Sequence, residues 1–234
     1  MNTATIADFV NENGVRAIVR RHATYNKPSL PVDNNTMCAL IYSRAIDSNL
    51  LGLNAEGSAM MFRQGELLAE MGVRPAKIIT GIDLRNYEGG LQTAAGVKKI
   101  CDYPLSVLRS PAVTYPYYDA TKVVPAWEQF GDFAAHAYLA DSPELQGLWT
   151  ETADVFDDRI HSAINNIGRF HLSGPVLFDL NFEQLVLLHY MDVKGFARKH
   201  IPYDPSAWVP KNGGGIIYAP NGVVAEFNPD FTLV

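Results

Sequence analysis

The stretch Phe182–His200, FEQLVLLHYMDVKGFARKH, carries most weight in predicting the fold. Asn181 with Gln184 three residues later is typical of a helix start of the capping-box kind. At about 100° per residue, the apolar side chains share one helix face with His189 and His200, and further apolar residues cover the other faces. We therefore expect a central helix packed on two sides. The predicted fold is mainly α, with α+β at the margin, around a helical bundle-like core.

Helical patterns also dominate the rest of the chain. Helices are predicted within residues 5–22 (divided at Gly14), 36–47, 56–71, 89–101, 126–139 and 142–167. Pro220-Asn221-Gly222 stands between two β-rich runs and predicts a short C-terminal β-hairpin at about 216–227. A β-branched run at Lys77–Ile82 is a possible strand.

Proline and tyrosine concentrate between Tyr103 and Pro125. Proline at this spacing blocks helix and favours an extended path, and aromatic side chains are enriched where proteins meet. We predict one domain over residues 1–234, with a possible internal boundary near 105–120. The aromatic residues that we expect at an interface are Tyr115, Tyr117, Tyr118 and Trp127.

The chain is poor in charge. Only 19% of its 234 residues are Asp, Glu, Lys or Arg, against about 25% in an ordinary soluble domain. Apolar surface must then be buried in a core, between copies of the chain, or both. The net charge of −6 argues against a dedicated nucleic-acid binder. A local basic cluster remains, because Arg16 and Arg20 would share a helix face beside Arg21 and His22.

Cysteine usage and the N-terminal sequence indicate a reducing compartment. Cys38 and Cys101 are far apart and neither belongs to a CxxC pair, so we predict free thiols and no disulfide or zinc site. The N-terminal residues lack the basic and apolar regions of a signal peptide. The expected location is cytoplasmic, or within an assembled particle.

Three polar residues resemble half of a carboxylate-bridged metal site. Asp154, Asp158 and His161 line one face of the helix predicted there. That face points away from the apolar stripe of the same helix, whereas metal ligands in a bundle point into the core. A solvated edge is the better interpretation, and we predict no metal and no other cofactor.

His189 is the strongest candidate for acid–base chemistry. It lies on the apolar face of its predicted helix, and Asp192 or Asp179 could serve as its carboxylate partner. A core histidine with a satisfied hydrogen bond is the alternative. No nucleophile elbow or glycine-rich phosphate loop is present.

A second polar group follows the possible strand at 77–82. Polar site residues of α/β enzymes lie at this kind of position, and here they are Asp83, Arg85 and Glu88. One short strand gives little support for an α/β fold.

These observations leave three functions open. The leading hypothesis is a self-assembling structural subunit, such as a viral or phage coat protein, which buries aromatic surface between copies of itself. Neither end of the chain looks self-anchoring, so a neighbouring copy could hold it. The alternative is an intracellular enzyme with a helical pocket that uses His189 and a nearby carboxylate. The third is an assembly protein that binds nucleic acid through Arg16, Arg20 and Arg21. No membrane partner is expected.

Overall fold

A mixed β-sheet organises the described part of the protein. The computed structural model describes residues 4–26, 52–117, 122, 129, 133–145, 147–166, 173–202 and 211–234. The sheet has six strands in the order β3-β2-β4-β1-β5-β6. Strands β3, β2, β4 and β1 are parallel, and β5 and β6 continue the sheet as an antiparallel pair. The strands are β1 (Ala17–Arg21), β2 (Lys77–Thr80), β3 (Val107–Arg109), β4 (Val176–Leu180), β5 (Gly215–Tyr218) and β6 (Val224–Phe227).

Helices cover both faces of this sheet. They are α1 (Ile6–Asn13), α2 (Ala55–Glu70), α3 (Leu84–Cys101), α4 (Phe133–Leu139), α5 (Ala153–Asn165) and α6 (Phe182–Leu188). Alternate residues of each strand point to opposite faces. Ile18 of β1 and Leu177 of β4 belong to a core cluster with α1 and α2, whereas Val19 and Phe178 belong to a cluster with α4, α5 and α6. The architecture is therefore α/β.

The predicted helical bundle is wrong, and the burial of β1 and β4 gives the reason. All five residues of β4, Val176–Leu180, are buried. A strand buried on both faces loses the polar–apolar alternation that identifies strands in a sequence. Such a short apolar run cannot be distinguished from part of a buried helix. The same ambiguity placed residues 17–21 in a predicted helix, although they form β1.

Several local predictions are confirmed. Helix α2 and strand β2 occupy the predicted segments 56–71 and 77–82, and β5 and β6 form the C-terminal hairpin, although it extends the sheet. The helix expected over 182–200 is shorter: α6 continues as one π-helical turn, His189–Val193, and a separate 3₁₀ turn follows at Arg198–His200. The helix predicted at 36–47 lies outside the described residues. The single domain stays a prediction.

The two described terminal segments bind each other. The amide of Ile6 donates to the carbonyl of Phe231 at 2.9 Å, and the amide of Leu233 donates to the carbonyl of Ala4 at 2.8 Å. The side chains of Ile6 and Phe231 are fully buried. The expectation that these segments are not self-anchoring is wrong for the described residues, because residues 4–6 and 231–233 bind each other.

Helices α2 and α3 cross at backbone contact. A Cβ atom added to Gly65 would lie 2.1 Å from the carbonyl oxygen of Thr93, and one added to Gly96 would lie 2.1 Å from that of Phe62. Real side chains do not fit at such distances, so both positions require glycine. This close crossing fixes α3, whose first turn carries Arg85.

Candidate active site

Polar residues converge at the carboxyl ends of three adjacent parallel strands. His22 directly follows β1, Asp83 and Arg85 follow β2, and Asn181 follows β4, which lies between the other two strands. Ligands of open α/β sheets bind at this edge. The amino end of α3 adds the positive end of a helix dipole there.

His22 is held in one tautomer. Its ring is 4% exposed, its Nδ1 lies 2.8 Å from the carbonyl oxygen of Ala23, and Nε of Arg85 lies 3.2 Å from its Nε2. A carbonyl oxygen only accepts and a guanidinium only donates. Nδ1 therefore carries the proton and Nε2 carries the lone pair. Burial lowers the pKa of His22 well below its ordinary value, and the nearby positive charge of Arg85 lowers it further.

Arg85 connects this imidazole to a chain of hydrogen bonds. Its Nη2 donates to Oδ1 of Asn181 at 3.2 Å, and Nδ2 of Asn181 donates to Oδ2 of Asp83 at 3.0 Å. The Arg85 guanidinium also lies over the ring of Tyr25, 4.7 Å from its centroid. These contacts fix the guanidinium beside Nε2 of His22.

A second guanidinium lies close by. Arg21, immediately before His22, places its guanidinium 5.0 Å from the centroid of the Phe182 ring, and Phe182 immediately follows Asn181. Arg21 at the end of β1 and Arg85 after β2 thus approach the start of α6 from the two strands that flank β4. Two guanidinium groups beside a neutral imidazole suit a phosphate dianion, which guanidinium binds through paired hydrogen bonds.

The segment after β1 is braced against the start of α2. The amide of Asn54 donates to the carbonyl of Thr24 at 3.3 Å, and the amide of Asn26 donates to that of Gly52 at 2.8 Å. Gly57 permits this approach, since a Cβ atom there would lie 2.0 Å from the carbonyl oxygen of Thr24. The backbone that follows His22 is consequently held against residues 52–57.

The loop after β3 is held by one arginine. Nη1 of Arg159 donates to three backbone carbonyls within residues 111–114, each at 3.0 Å. Glu151 pairs with the same guanidinium at 2.6 Å and accepts a hydrogen bond from the amide of Tyr117 at 3.1 Å. Arg159 and Glu151 thereby fix the described part of this loop to α5.

A buried ion pair supports the site from two residues before His22 and Asn181. Arg20 and Asp179 face each other across β1 and β4, both side chains are fully buried, and Arg20 Nε lies 2.5 Å from Asp179 Oδ1. Nη1 of Arg20 donates to Gln64 of α2 at 2.9 Å, and Nη2 donates to Thr93 of α3. Four elements therefore meet at one guanidinium.

The structure separates the three arginines of the predicted basic cluster. Arg16 precedes β1 and donates to Asn165 at 3.3 Å, at the amino edge of the sheet. Arg20 is buried in the ion pair, whereas Arg21 lies beside Phe182 at the carboxyl edge of the sheet. The helix face that Arg16 and Arg20 were expected to share does not exist, because residues 17–21 form a strand. Nucleic-acid binding stays a prediction.

His189 and Asp192 contact the antiparallel strands β6 and β5, away from His22. Nδ1 of His189 lies 2.5 Å from Oε1 of Glu226, and both side chains are buried. Asp192 accepts a hydrogen bond from the hydroxyl of Tyr218 at 2.7 Å, and Tyr218 pairs with the first residue of β1. The structure brings neither residue to the Arg85 site. Asp179, the other carboxylate considered for His189, is paired with Arg20.

The residues that resembled half of a metal site are also dispersed. Oδ1 of Asp154 lies 3.2 Å from Nε of Arg198, Asp158 is exposed, and His161 contacts Asp157 and Asp192. Within the described residues, no group of three potential metal ligands occurs.

The aromatic interface candidates are only partly described. Tyr115 and Tyr117 lie in the loop after β3, whereas Tyr118 and Trp127 fall outside the described residues. An interface role for all four stays a prediction. No helix in the described parts of the chain has both the length and the apolar character needed to cross a membrane.

Sequence reasoning missed His22 and Asn181 as site residues. Asp83 and Arg85 were noted for their place after a strand, and β2 confirms that place. The available signal for His22 was the apolar run Ala17–Val19 followed at once by Arg20, Arg21 and His22. A strand that ends in polar residues is typical of an α/β site.

Comparisons with known proteins give the fold. No protein-family profile and no curated protein matches the chain. Among solved structures, the mycobacterial glucosyl-3-phosphoglycerate phosphatase is similar over 94% of each chain, with 12% identity and a TM-score of 0.53. Phosphoglycerate mutase from Bacillus anthracis is similar over 94% of this chain and 90% of its own, with 14% identity and a TM-score of 0.51.

A third similar structure, mycobacterial hydrolase 2, has 14% identity and a TM-score of 0.53 over 89% of this chain and 85% of its own. The fold is that of the phosphoglycerate-mutase-like α/β phosphatases. The predicted viral or phage coat subunit is wrong, because the similar structures are phosphatases and mutases and nothing points to a capsid or structural protein. These comparisons favour the alternative of an enzyme over the coat protein, whereas the use of His189 with a nearby carboxylate stays a prediction.

Proposed function

We propose that the protein hydrolyses phosphate monoesters through a phosphohistidine formed on Nε2 of His22. The state of the His22 ring carries this proposal: it is buried and neutral, with Nδ1 bonded to a carbonyl oxygen and Nε2 facing Arg85. A neutral imidazole nitrogen with an available lone pair is a nucleophile. The phosphatase and mutase names of the similar structures agree with this chemistry.

The two arginines would bind and orient the phosphoryl group. A phosphate dianion offers Arg85 oxygen acceptors in place of the imidazole nitrogen, and this exchange frees the lone pair of Nε2 for attack. Arg21 would contact the remaining oxygens from the end of β1, on the other side of β4. Both cations stabilise the charge that the equatorial oxygens carry in the transition state, which is the main task of a protein in phosphoryl transfer.

The reaction then takes two steps. In the first, Nε2 of His22 attacks phosphorus, the ester P–O bond breaks, and the leaving oxygen takes a proton from solvent water and departs as an alcohol; the water that attacks in the second step returns a proton to the solvent. In the second, water attacks phosphorus, the P–N bond breaks, and inorganic phosphate leaves while His22 returns to its neutral form. A covalent intermediate divides one difficult displacement into two easier ones.

Trapping the intermediate tests this proposal. The protein is mixed with p-nitrophenyl phosphate and quenched in alkali, where phosphohistidine survives, and the modified peptide is located by mass spectrometry. We expect phosphate on His22 and none in the variant His22→Asn, which also loses p-nitrophenol release. The matched control is His200→Asn, because His200 is exposed in a 3₁₀ turn outside the site.

Two results would contradict the proposal. One is a wild-type protein that turns over p-nitrophenyl phosphate at the rate of His22→Asn. The other is phosphate trapped on a residue other than His22.

A further inference from the structure

Asn86 carries a buried amide whose polar atoms are unpaired. It lies in the first turn of α3, immediately after Arg85, and its side chain is fully buried. Neither its Nδ2 nor its Oδ1 has a hydrogen-bond partner among the described residues. Buried amides are almost always hydrogen-bonded, because an unsatisfied group keeps the full cost of leaving water. An unpaired amide next to a site residue therefore requires an explanation.

The nitrogen of this amide lies near two acceptors at Gly81. A Cβ atom added to Gly81 would lie 2.8 Å from Nδ2 of Asn86. The same atom would lie 3.1 Å from the carbonyl oxygen of Val113 and 3.5 Å from Oδ2 of Asp83. One donor and two acceptors thus surround a single point, and glycine keeps a methyl group out of it. Both acceptors are within the reach of one water molecule bound to Nδ2, since a buried water commonly bridges two to four polar atoms.

The orientation of Asp83 links this group of atoms to the site. Asp83 occupies the N-cap position of α3, where an aspartate ordinarily accepts a hydrogen bond from an amide of the first turn. Its side chain makes no such bond here, and Oδ2 accepts from Nδ2 of Asn181 at 3.0 Å instead. Asn181 in turn accepts from Arg85, whose Nε lies 3.2 Å from Nε2 of His22. An interaction that holds the Asp83 carboxylate away from its helix therefore acts on the residues beside the imidazole.

We infer that Asn86 is a positioning residue of the site and holds the Asp83 carboxylate through one buried water molecule. The consequence for catalysis rests on the proposed function, whereas the water site does not. The water accepts from Nδ2 of Asn86 and donates to Oδ2 of Asp83 and to the carbonyl oxygen of Val113. A carbonyl oxygen has two lone pairs, so Val113 accepts this bond beside the one from Gln184. Asn86 thereby acts on the site without contact with the substrate.

Nuclear magnetic resonance tests the water site in the ligand-free protein. We expect a nuclear Overhauser effect between the side-chain amide protons of Asn86 and a long-lived water molecule. Gly81→Ala should abolish this effect, because the added methyl group occupies the point that the three polar atoms surround. Asn86→Leu removes the donor itself and keeps the branched shape of the side chain, so it should not lower the Tm.

The titration of His22 tests the positioning role. Burial has the larger effect on the pKa of His22, and the charge of Arg85 lowers this pKa further. A guanidinium that is held less firmly lowers it less, so Asn86→Leu and Gly81→Ala should both raise the pKa of His22. Both variants should also bind orthovanadate about tenfold more weakly, which corresponds to the loss of about one hydrogen bond. The matched control is Asn13→Leu in α1, which should change neither quantity.

Three results would overturn the inference. The first is a wild-type protein without a bound water at the Asn86 amide. The second is a His22 pKa that is unchanged in both variants. The third is a lower Tm of Asn86→Leu with wild-type affinity for orthovanadate, which would make Asn86 a purely structural residue. A wild-type protein that holds the water, and whose variants shift the pKa of His22, but that never forms phosphohistidine would count against the proposed function alone, so the two failures are distinguishable.

Discussion

Removing the charge of Asp179 tests how far the buried ion pair supports the sheet below the site. Asp179→Asn leaves the Arg20 guanidinium fully buried without its counter-charge. Breaking a buried pair in this way costs about 3–5 kcal/mol. For a chain of 150–250 residues, each 1 kcal/mol shifts the Tm by about 2–4 °C. We therefore expect the Tm of Asp179→Asn to fall by about 6–20 °C in a thermal unfolding experiment.

A double-mutant cycle and a surface control complete this experiment. The double variant Arg20→Met/Asp179→Asn should cost less than the sum of its two single variants, because it leaves no buried charge. The control is Arg63→Met, since the Arg63 side chain is 52% exposed and pairs with Glu66. An exposed pair contributes about 0–1 kcal/mol. A loss below about 1 kcal/mol for Asp179→Asn, or simple additivity in the cycle, would refute the reasoning.

Three further predictions concern other parts of the molecule. Burial alone would lower the pKa of His161, but hydrogen bonds and attraction from Asp157 and Asp192 raise it to about 10. The contacts that raise this pKa stabilise the folded state; their contribution is fully present below about pH 6.5 and is lost as the pH rises through 10. The free energy of unfolding of His161→Asn, measured in urea, should therefore lack this pH dependence. Gly65→Ala should destabilise the protein by about 1–3 kcal/mol or more through overpacking, measured by the same urea titration. Arg159→Met should accelerate limited proteolysis within residues 111–117, because three carbonyls lose their donor.

Each of these has a clear opposite result. His161→Asn with the wild-type slope between pH 7 and pH 10 would show that the two carboxylates do not hold the proton on His161. If Gly65→Ala unfolds at the same urea concentration as the wild type, α2 and α3 can move apart without loss of stability. If the protease cleaves Arg159→Met no faster than the wild type, contacts other than those of Arg159 hold the loop.

Local signals in the sequence were sufficient for some elements of the fold. Helix α2 has an amphipathic pattern, and the Asn54 side chain caps it by accepting from the amide of Gly57. The β5–β6 hairpin has its Asn-Gly turn, with Gly222 at φ 86°. In both cases the deciding interaction joins residues that are close in sequence, so the pattern predicts the structure.

The central strands and the site depend instead on distant partners. The five residues of β4 are apolar apart from Asp179, and only its pairing with β1 and β2 distinguishes a strand from a helical segment. His22 and Arg85 are 63 positions apart in the sequence, and the sheet brings them together. The wrong fold class therefore hid the site: with β1 taken as a helix, His22 belonged to a basic surface cluster.

The position of β1 in the sheet has a consequence for synthesis. This strand comes early in the chain, yet its two neighbours are β4 and β5, which the ribosome makes much later. Until then the nascent polypeptide carries an apolar strand with both edges open, which is a hazard for aggregation and an occasion for chaperones. Pairing between such distant segments also slows folding. The backbone that carries His22 therefore gains its position in the sheet only after β5 has been synthesised.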